Sequence, residues 1–267
     1  MRRHGDDEVH EHDRGLSYDL PVLARRRMIR LLAGVGAGAG LAPLAGCTAE
    51  DSSSAAGDCA AVPEETAGPY PGDGSNGVNV LKESGVVRSD ITRSFGDSAG
   101  GTTRGVPLTV RLTVVDAASG CGTPRKGAAV YVWHCDREGG YSLYTDGVTD
   151  ENYLRGVQET DGKGEVTFTS VFPGCYTGRW PHIHFEVYGS LRDATRATAI
   201  TSTSQLALPK DVCDTVYATE GYERSVDHLG RLSLESDSVF GDGHDRQLAA
   251  VEGSVERGYT ATLTIAV

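Results

Sequence analysis

A chain of 267 residues with 39% hydrophobic content can bury one sizeable core, or at most two small ones. Its formal net charge of −12 excludes the basic surface that draws nucleic acid or an anionic membrane, and leaves small or neutral partners open. With 35 glycines and long Val/Thr-rich runs, strands are favoured over helices.

In chain order, the first feature is "ARRRMIRLLAGVGAGAGLAPLAGC", an arginine cluster, a mildly apolar run and small residues before Cys47. This is the layout of an export signal rather than a membrane span, which needs about 20 strongly apolar residues. Arg25-Arg26-Arg27-Met28-Ile29-Arg30 is similar to a twin-arginine signal, and Leu44-Ala45-Gly46-Cys47 to a lipobox whose cysteine is lipidated. Residues 1–46 are therefore expected to be a signal segment. Residues 47–58 form a polar tether, and 59–267 one β domain whose membrane contact runs through Cys47 alone. Removing Cys47 leaves Cys59, Cys121, Cys135, Cys175 and Cys213, an odd set in which disulfides are permitted and pairing is not legible. No CxxC pair occurs, so a zinc–cysteine site is not indicated.

Strand signals follow. "PLTVRLTVVD" alternates Leu108, Val110, Leu112 and Val114 with polar residues, as a half-buried strand does. "GAAVYVWHC", "EVTFTSVF", "HIHFEVYG", "ATAITSTSQLAL" and "YTATLTIAV" give five more, separated by turn clusters such as "TDGKG". Helical periodicity is confined to the neighbourhood of 209–224. The fold class is all-β, an antiparallel β-sandwich with long loops.

The stretch "PGCYTGRWPHIHFEVYG" concentrates the chemistry. Alternation sends Ile183, Phe185 and Val187 into a core and His182, His184, Glu186 and Tyr188 to the other face. The two histidines, about 7 Å apart at Cα, can converge on one ion. Alone, an H-x-H strand is equally consistent with two ordinary histidines. Tyr176 follows the turn Pro173-Gly174, and Tyr141 follows Gly139-Gly140. A phenol ligates poorly unless deprotonated, and its free pKa is about 10. A tripositive ion overcomes that, so two phenolates with two imidazoles suit ferric iron better than zinc or ferrous iron.

Over about 60–245 the sequence resembles the intradiol ring-cleavage dioxygenases, most closely their exported members. The resemblance is carried in order by "PEETAGPY", "GVPLTVRLTVVD", "GAAVYVWHCDREGGYSLY", "NYLRGVQETDGKGEVTFTSVFPGCYTGRWPHIHFEVYG" and "TSTSQLALP". A helical N-terminal dimerisation region of the cytosolic type is not recognised, and an oligomer remains open. The resemblance implies a non-haem Fe(3+) cofactor, a small aromatic diol and O2 as substrates, and cleavage between the hydroxyls to a muconic acid. It implies four metal ligands: Tyr141 as equatorial tyrosinate, Tyr176 as the axial tyrosinate that leaves when substrate chelates, and His182 with His184. Arg179 would lie over the substrate ring and stabilise developing negative charge, and Gln205 would help place substrate. On this reading two tyrosinates and a hydroxide neutralise the ferric charge. The hydroxide and Tyr176 then take the two catechol protons, so no net charge is buried.

Cys175 stands where an aromatic is expected in the exported members, which puts substrate fit in doubt more than iron binding. His134 is read as structural, and His228 and His244 as solvated. Two other classes fit parts of the pattern. An exported copper superoxide dismutase also uses H-x-H but leaves "GGYS" and "PGCY" unexplained. A non-catalytic aromatic-binding lipoprotein would not need the complete set of four candidate ligands.

Overall fold

The computed structural model describes residues 59–267. The expected signal segment and tether lie outside the described residues. Among the described residues, eight strands form two four-stranded sheets. One is ordered β4–β1–β8–β7, from β1 (Pro107–Val115), β4 (Glu165–Val171), β7 (Ala250–Ser254) and β8 (Gly258–Ala266). The other is ordered β3–β2–β5–β6, from β2 (Ala129–Trp133), β3 (Arg155–Glu159), β5 (His182–Tyr188) and β6 (Ile200–Ala207).

The expected antiparallel arrangement needs one correction. β1 and β8 pair in parallel, from Leu108 opposite Tyr259 to Val115 opposite Ala266, while the other strand pairs are antiparallel. The whole second sheet intervenes between them in sequence, which supplies the long crossover that parallel pairing requires. β3 and β7 were not expected from the sequence. "RGVQE" is short and polar at its ends, and β7 is an edge strand with no fully buried residue.

The inner faces of both sheets contribute to one core. Leu108, Val110, Leu112 and Val114 of β1 are buried against Val130 and Val132 of β2, Phe168 of β4, Ile183, Phe185 and Val187 of β5, and Leu206 of β6. Full burial of each such aliphatic side chain favours folding by about 1.5–3 kcal/mol, so the alternation seen in the sequence is what sets strand facing.

The outer face of the β3–β2–β5–β6 sheet is covered as well. Every residue of β5 is buried, because the outward side chains Tyr131, Trp133 and Tyr188 are themselves covered by Val80, Leu81, Val86, Tyr141 and Tyr176 in a second apolar cluster. Part of this cover is an extended strap that begins at Cys59, disulfide-bonded to Cys121. Val62 N donates to Ala266 O at the first sheet and Glu65 N to Thr203 O at the second, so the strap crosses from one to the other.

Among the described residues there are three short α-helices: α1 (Leu191–Arg196), α2 (Lys210–Tyr217) and α3 (Glu223–Leu229). α1 starts on the Ser190 cap, whose side chain accepts from Asp193 N. The helical stretch anticipated near 209–224 is divided by the turn before Gly221, whose φ of 91° suits glycine. Among the described residues no helix is long and apolar enough to cross a membrane.

Candidate metal centre

The second sheet lays out the site in one cross-strand row. Trp133 pairs with Arg155 on one side and His184 on the other, and His184 pairs with Gln205. The Trp133 and His184 rings stack at 4.8 Å with a 7° interplanar angle, which fixes the imidazole plane. His182 is oriented differently, by its Nδ1–H donating to Trp180 O, which leaves Nε2 as the lone-pair nitrogen facing the site. His182 Nε2 and His184 Nε2 stand 3.0 Å apart, while His184 Nδ1 is buried without a hydrogen-bond partner.

Two interlocked turns deliver the tyrosines. Asp136 Oδ1 accepts from Gly140 N at 2.8 Å and Glu138 N at 3.0 Å, shaping the turn before Tyr141. The Asp136 carbonyl accepts from Gly174 N at 2.9 Å in the turn before Tyr176. Neither turn leaves space for a side chain. A Cβ on Gly139, already at φ +90°, would lie 3.2 Å from Tyr176 Cβ, and one on Gly174 would lie 2.5 Å from Arg137 O. Gly139 and Gly174 are therefore each packed against the other's turn.

The four polar atoms end side by side. Tyr141 Oη is 3.5 Å from Tyr176 Oη, and Tyr176 Oη is 3.2 Å from His182 Nε2. Donors about 2.1 Å from a shared ion lie about 3.0 Å apart at a right angle and about 3.6 Å apart at 120°, so the observed separations fit one ion. Among the described residues no group of three or more His, Cys, Asp or Glu side chains forms a metal site, so a metal here depends on the tyrosines. The electrostatics agree. Burial, then the Arg179 charge, pushes His182 down to about 3, and burial, then His182, lowers His184, so both imidazoles offer neutral lone pairs. Burial, then the neighbouring Tyr176, raises Tyr141 well above the ordinary phenol value. Such a phenol ionises only beside a strongly charged cation, and the donor set suits a hard one.

Arg179 is sealed in beside these donors. Its Nε donates to Asp237 Oδ2 at 3.1 Å and its Nη2 to Gln205 Oε1 at 2.6 Å, and Gln205 Nε2 donates to Thr66 O at 2.9 Å. The strap closes the opposite side. Tyr70 packs on Tyr141 with ring centroids 4.9 Å apart, and a Cβ on Gly68 would lie 3.4 Å from His184 Cε1. Arg155 braces both parts, donating to Ser142 Oγ and Ser142 O behind Tyr141 and to Pro71 O of the strap.

All six residues singled out in the sequence thus gather in one place, and four others emerge only in three dimensions: Trp133, Arg155, Asp237 and His228. Asp237 lies in a polar stretch far along the chain and carries no local signal. His134 is structural as expected, bonded to Cys135 O and Ser170 Oγ. His228 requires correction. It is half-buried, with Nδ1 2.7 Å from Cys175 O and Nε2 3.3 Å from Thr177 Oγ1. His244 is half-buried at the surface rather than fully solvated. Cys175 forms no disulfide, and burial raises its thiol to about 12. It packs in the core between the sheets, whereas Tyr176 belongs to the outer apolar layer. A cavity of about 390 Å³ lined by Glu83, Asp97, Asp150 and Asn152 includes none of the four donors.

Tyr141, Tyr176, His182 and His184 are all buried in a mostly β protein of two sheets, and comparison with known proteins gives its family. The sequence matches the dioxygenase family over residues 84–220. The fold is similar to that of an intradiol ring-cleavage dioxygenase from Tetranychus urticae, with TM-score 0.56, 27% identity, and 69% of this chain and 87% of that one covered. Catechol 1,2-dioxygenases from Pseudomonas arvilla C-1 (TM-score 0.51, 17% identity, 97% of this chain and 72% of that one) and Acinetobacter radioresistens (0.51, 17%, 96% and 70%) share the fold. No curated protein sequence matches the chain. The chain belongs to the dioxygenase family and is an intradiol ring-cleavage dioxygenase. Neither the copper dismutase nor the non-catalytic reading gains support from these matches.

Proposed function

We propose that this enzyme is a non-haem ferric dioxygenase that opens a small aromatic diol between its hydroxyls, placing both atoms of O2 in a muconic acid product. The observation that carries this reading is the convergence of Tyr141 Oη, Tyr176 Oη, His182 Nε2 and His184 Nε2, with separations of 3.5, 3.2 and 3.0 Å. These four residues would hold the iron. Bound there, a ferric ion would supply a Lewis acid that makes a catechol-type ring reactive toward oxygen.

The protein's own groups do the rest. As a tyrosinate, Tyr176 Oη would take one of the two catechol protons and a hydroxide the other, while Tyr141 is kept in place by the brace of Arg155 on Ser142. Arg179 is held by Asp237 and Gln205, so its charge is fixed before substrate arrives and costs little reorganisation as charge develops on the ring. That charge acts on Tyr141, His182 and His184. Gln205 places substrate from the neighbouring strand. The strap residues Gly68 and Tyr70 shield the centre from water.

The two sheets sharing one core are read as the β-sandwich of this enzyme type. Residues 1–46 are read as a twin-arginine signal and Cys47 as a lipid anchor, which places the catalytic domain outside the cytoplasm on a short tether. Oxygen uptake with catechol, protocatechuate and hydroxyquinol tests the activity. Rapid uptake with one of the three is expected, and none with any of them by iron-loaded protein would refute it.

A further inference from the structure

The helices α2 and α3 carry none of the four donors, yet side chains from this region bind the loop before Tyr176 at successive backbone groups. Tyr222 Oη–H donates to Phe172 O at 2.8 Å and Tyr217 Oη–H to Pro173 O at 3.1 Å. Cys175 N–H donates to Ser225 Oγ at 2.9 Å, and His228 Nδ1 lies 2.7 Å from Cys175 O. Beyond Tyr176, His228 Nε2 lies 3.3 Å from Thr177 Oγ1. The loop between β4 and β5 has no strand ladder to satisfy its backbone, so these side chains supply the missing partners. Three of the four are buried, and His228 is half-buried at the end of the series.

His228 differs from the others because it grips both flanks of Tyr176. A carbonyl oxygen only accepts, so Nδ1 carries a proton toward Cys175 O, and the Thr177 hydroxyl, which can donate or accept, pairs with Nε2. One imidazole therefore ties the residue before the tyrosine to the residue after it. An unsupported loop would let backbone and phenol shift together.

We propose that His228 is a positioning residue for ring cleavage. By bridging Cys175 O and Thr177 Oγ1 it holds the backbone around Tyr176, so that motion during turnover is confined to the phenol. The role rests on Tyr176 acting as a metal donor, as proposed above. Partners that orient a metal donor from behind typically change metal affinity or activity 10- to 100-fold when removed.

The test compares iron-loaded wild type with His228→Ala, His228→Leu and His228→Asn. It measures kcat and KM for catechol by oxygen uptake, the visible tyrosinate-to-iron band, and the melting temperature of the metal-free proteins. Ala and Leu remove both bonds, and Leu keeps most of the volume should Ala fail to fold. Asn keeps an amide N–H where Nδ1–H stands. The expected result is a loss of about tenfold or more in kcat with a displaced visible band for Ala and Leu, and recovery of most of both by Asn. Wild-type kcat and band in Ala and Leu would overturn the role, as would an Asn variant no better than Leu. Failure of all three to fold would also overturn it by making His228 a purely structural residue. A wild type with iron but neither band nor oxygen uptake would instead overturn the assignment of Tyr176.

Discussion

Arg179 and Asp237 are joined across 58 residues of sequence by an ion pair of 3.1 Å whose side chains are 2% and 0% exposed. Burial alone would raise the Asp237 carboxyl, but the Arg179 charge and the backbone N–H groups of Trp180 and Val239 outweigh it and hold it below its ordinary value. Asp237 Oδ2 also accepts from Trp180 N at 2.7 Å, so one carboxylate fixes both the guanidinium and the start of the histidine strand. Removing one member of a buried ion pair costs about 3–5 kcal/mol. Asp237→Ala is therefore expected to lower the unfolding free energy of the metal-free protein by that amount in urea titrations. A loss below about 1 kcal/mol would show that the pair is not what secures Arg179.

Asp136 gives a pH dependence with a definite sign. Burial, opposed by the Gly140 N–H, raises its carboxyl from 3.8 to about 6. The folded protein thus keeps a proton that the unfolded chain releases, and stability contributed by this group falls as pH rises from about 4 to about 6, then levels off. Asp136→Asn has no such titration. The stability of the variant relative to wild type should grow by roughly 2–3 kcal/mol between pH 4 and 7. A constant difference across that range would contradict the burial argument.

The glycines of the two ligand turns should resist substitution unequally. Gly174→Ala would place a Cβ 2.5 Å from Arg137 O and 3.0 Å from Gly139 N, both backbone atoms that cannot swing aside. Gly139→Ala would meet Tyr176 Cβ at 3.2 Å and hold an alanine at φ +90°. The left-handed backbone alone costs about 1–2 kcal/mol. Gly174→Ala should be the more destabilising in thermal melts, and both should displace the visible band of the iron-loaded enzyme.

The Cys59–Cys121 bond closes a loop across 62 positions and anchors the strap that carries Gly68 and Tyr70. Chain entropy assigns such a closure about 4 kcal/mol, and removal of native disulfides typically costs 2–5 kcal/mol. Replacing both cysteines with serine should lower stability by that range. It should also raise KM for substrate more than it changes kcat, because the strap covers the site rather than supplying a donor.

Much of this architecture was legible in the sequence because strand alternation is a local property. Leu108 to Val114, Ile183 to Val187 and the histidines between them declare their faces without reference to the rest of the chain. The tyrosines were legible through the motifs shared with the family, in which each follows a glycine-containing turn. What escaped was contextual. β7 carries no buried residue and so no alternation, and β1 beside β8 is parallel only because of how the chain returns. Asp237 and His228 act through bonds to Arg179 and to the Cys175 and Thr177 flanks, partners more than 50 positions away. The pairing of Cys59 with Cys121, among the permitted choices, likewise had no sequence signature.

The measurement closest to the central claim is metal content with visible absorption and catechol-dependent oxygen uptake, for protein from iron-replete cells and for Tyr176→Phe. The account predicts wine-red wild-type protein with one iron per chain, and a variant that still binds iron but loses most of its turnover. Colourless, zinc-loaded wild type, or a variant with undiminished turnover, would contradict it.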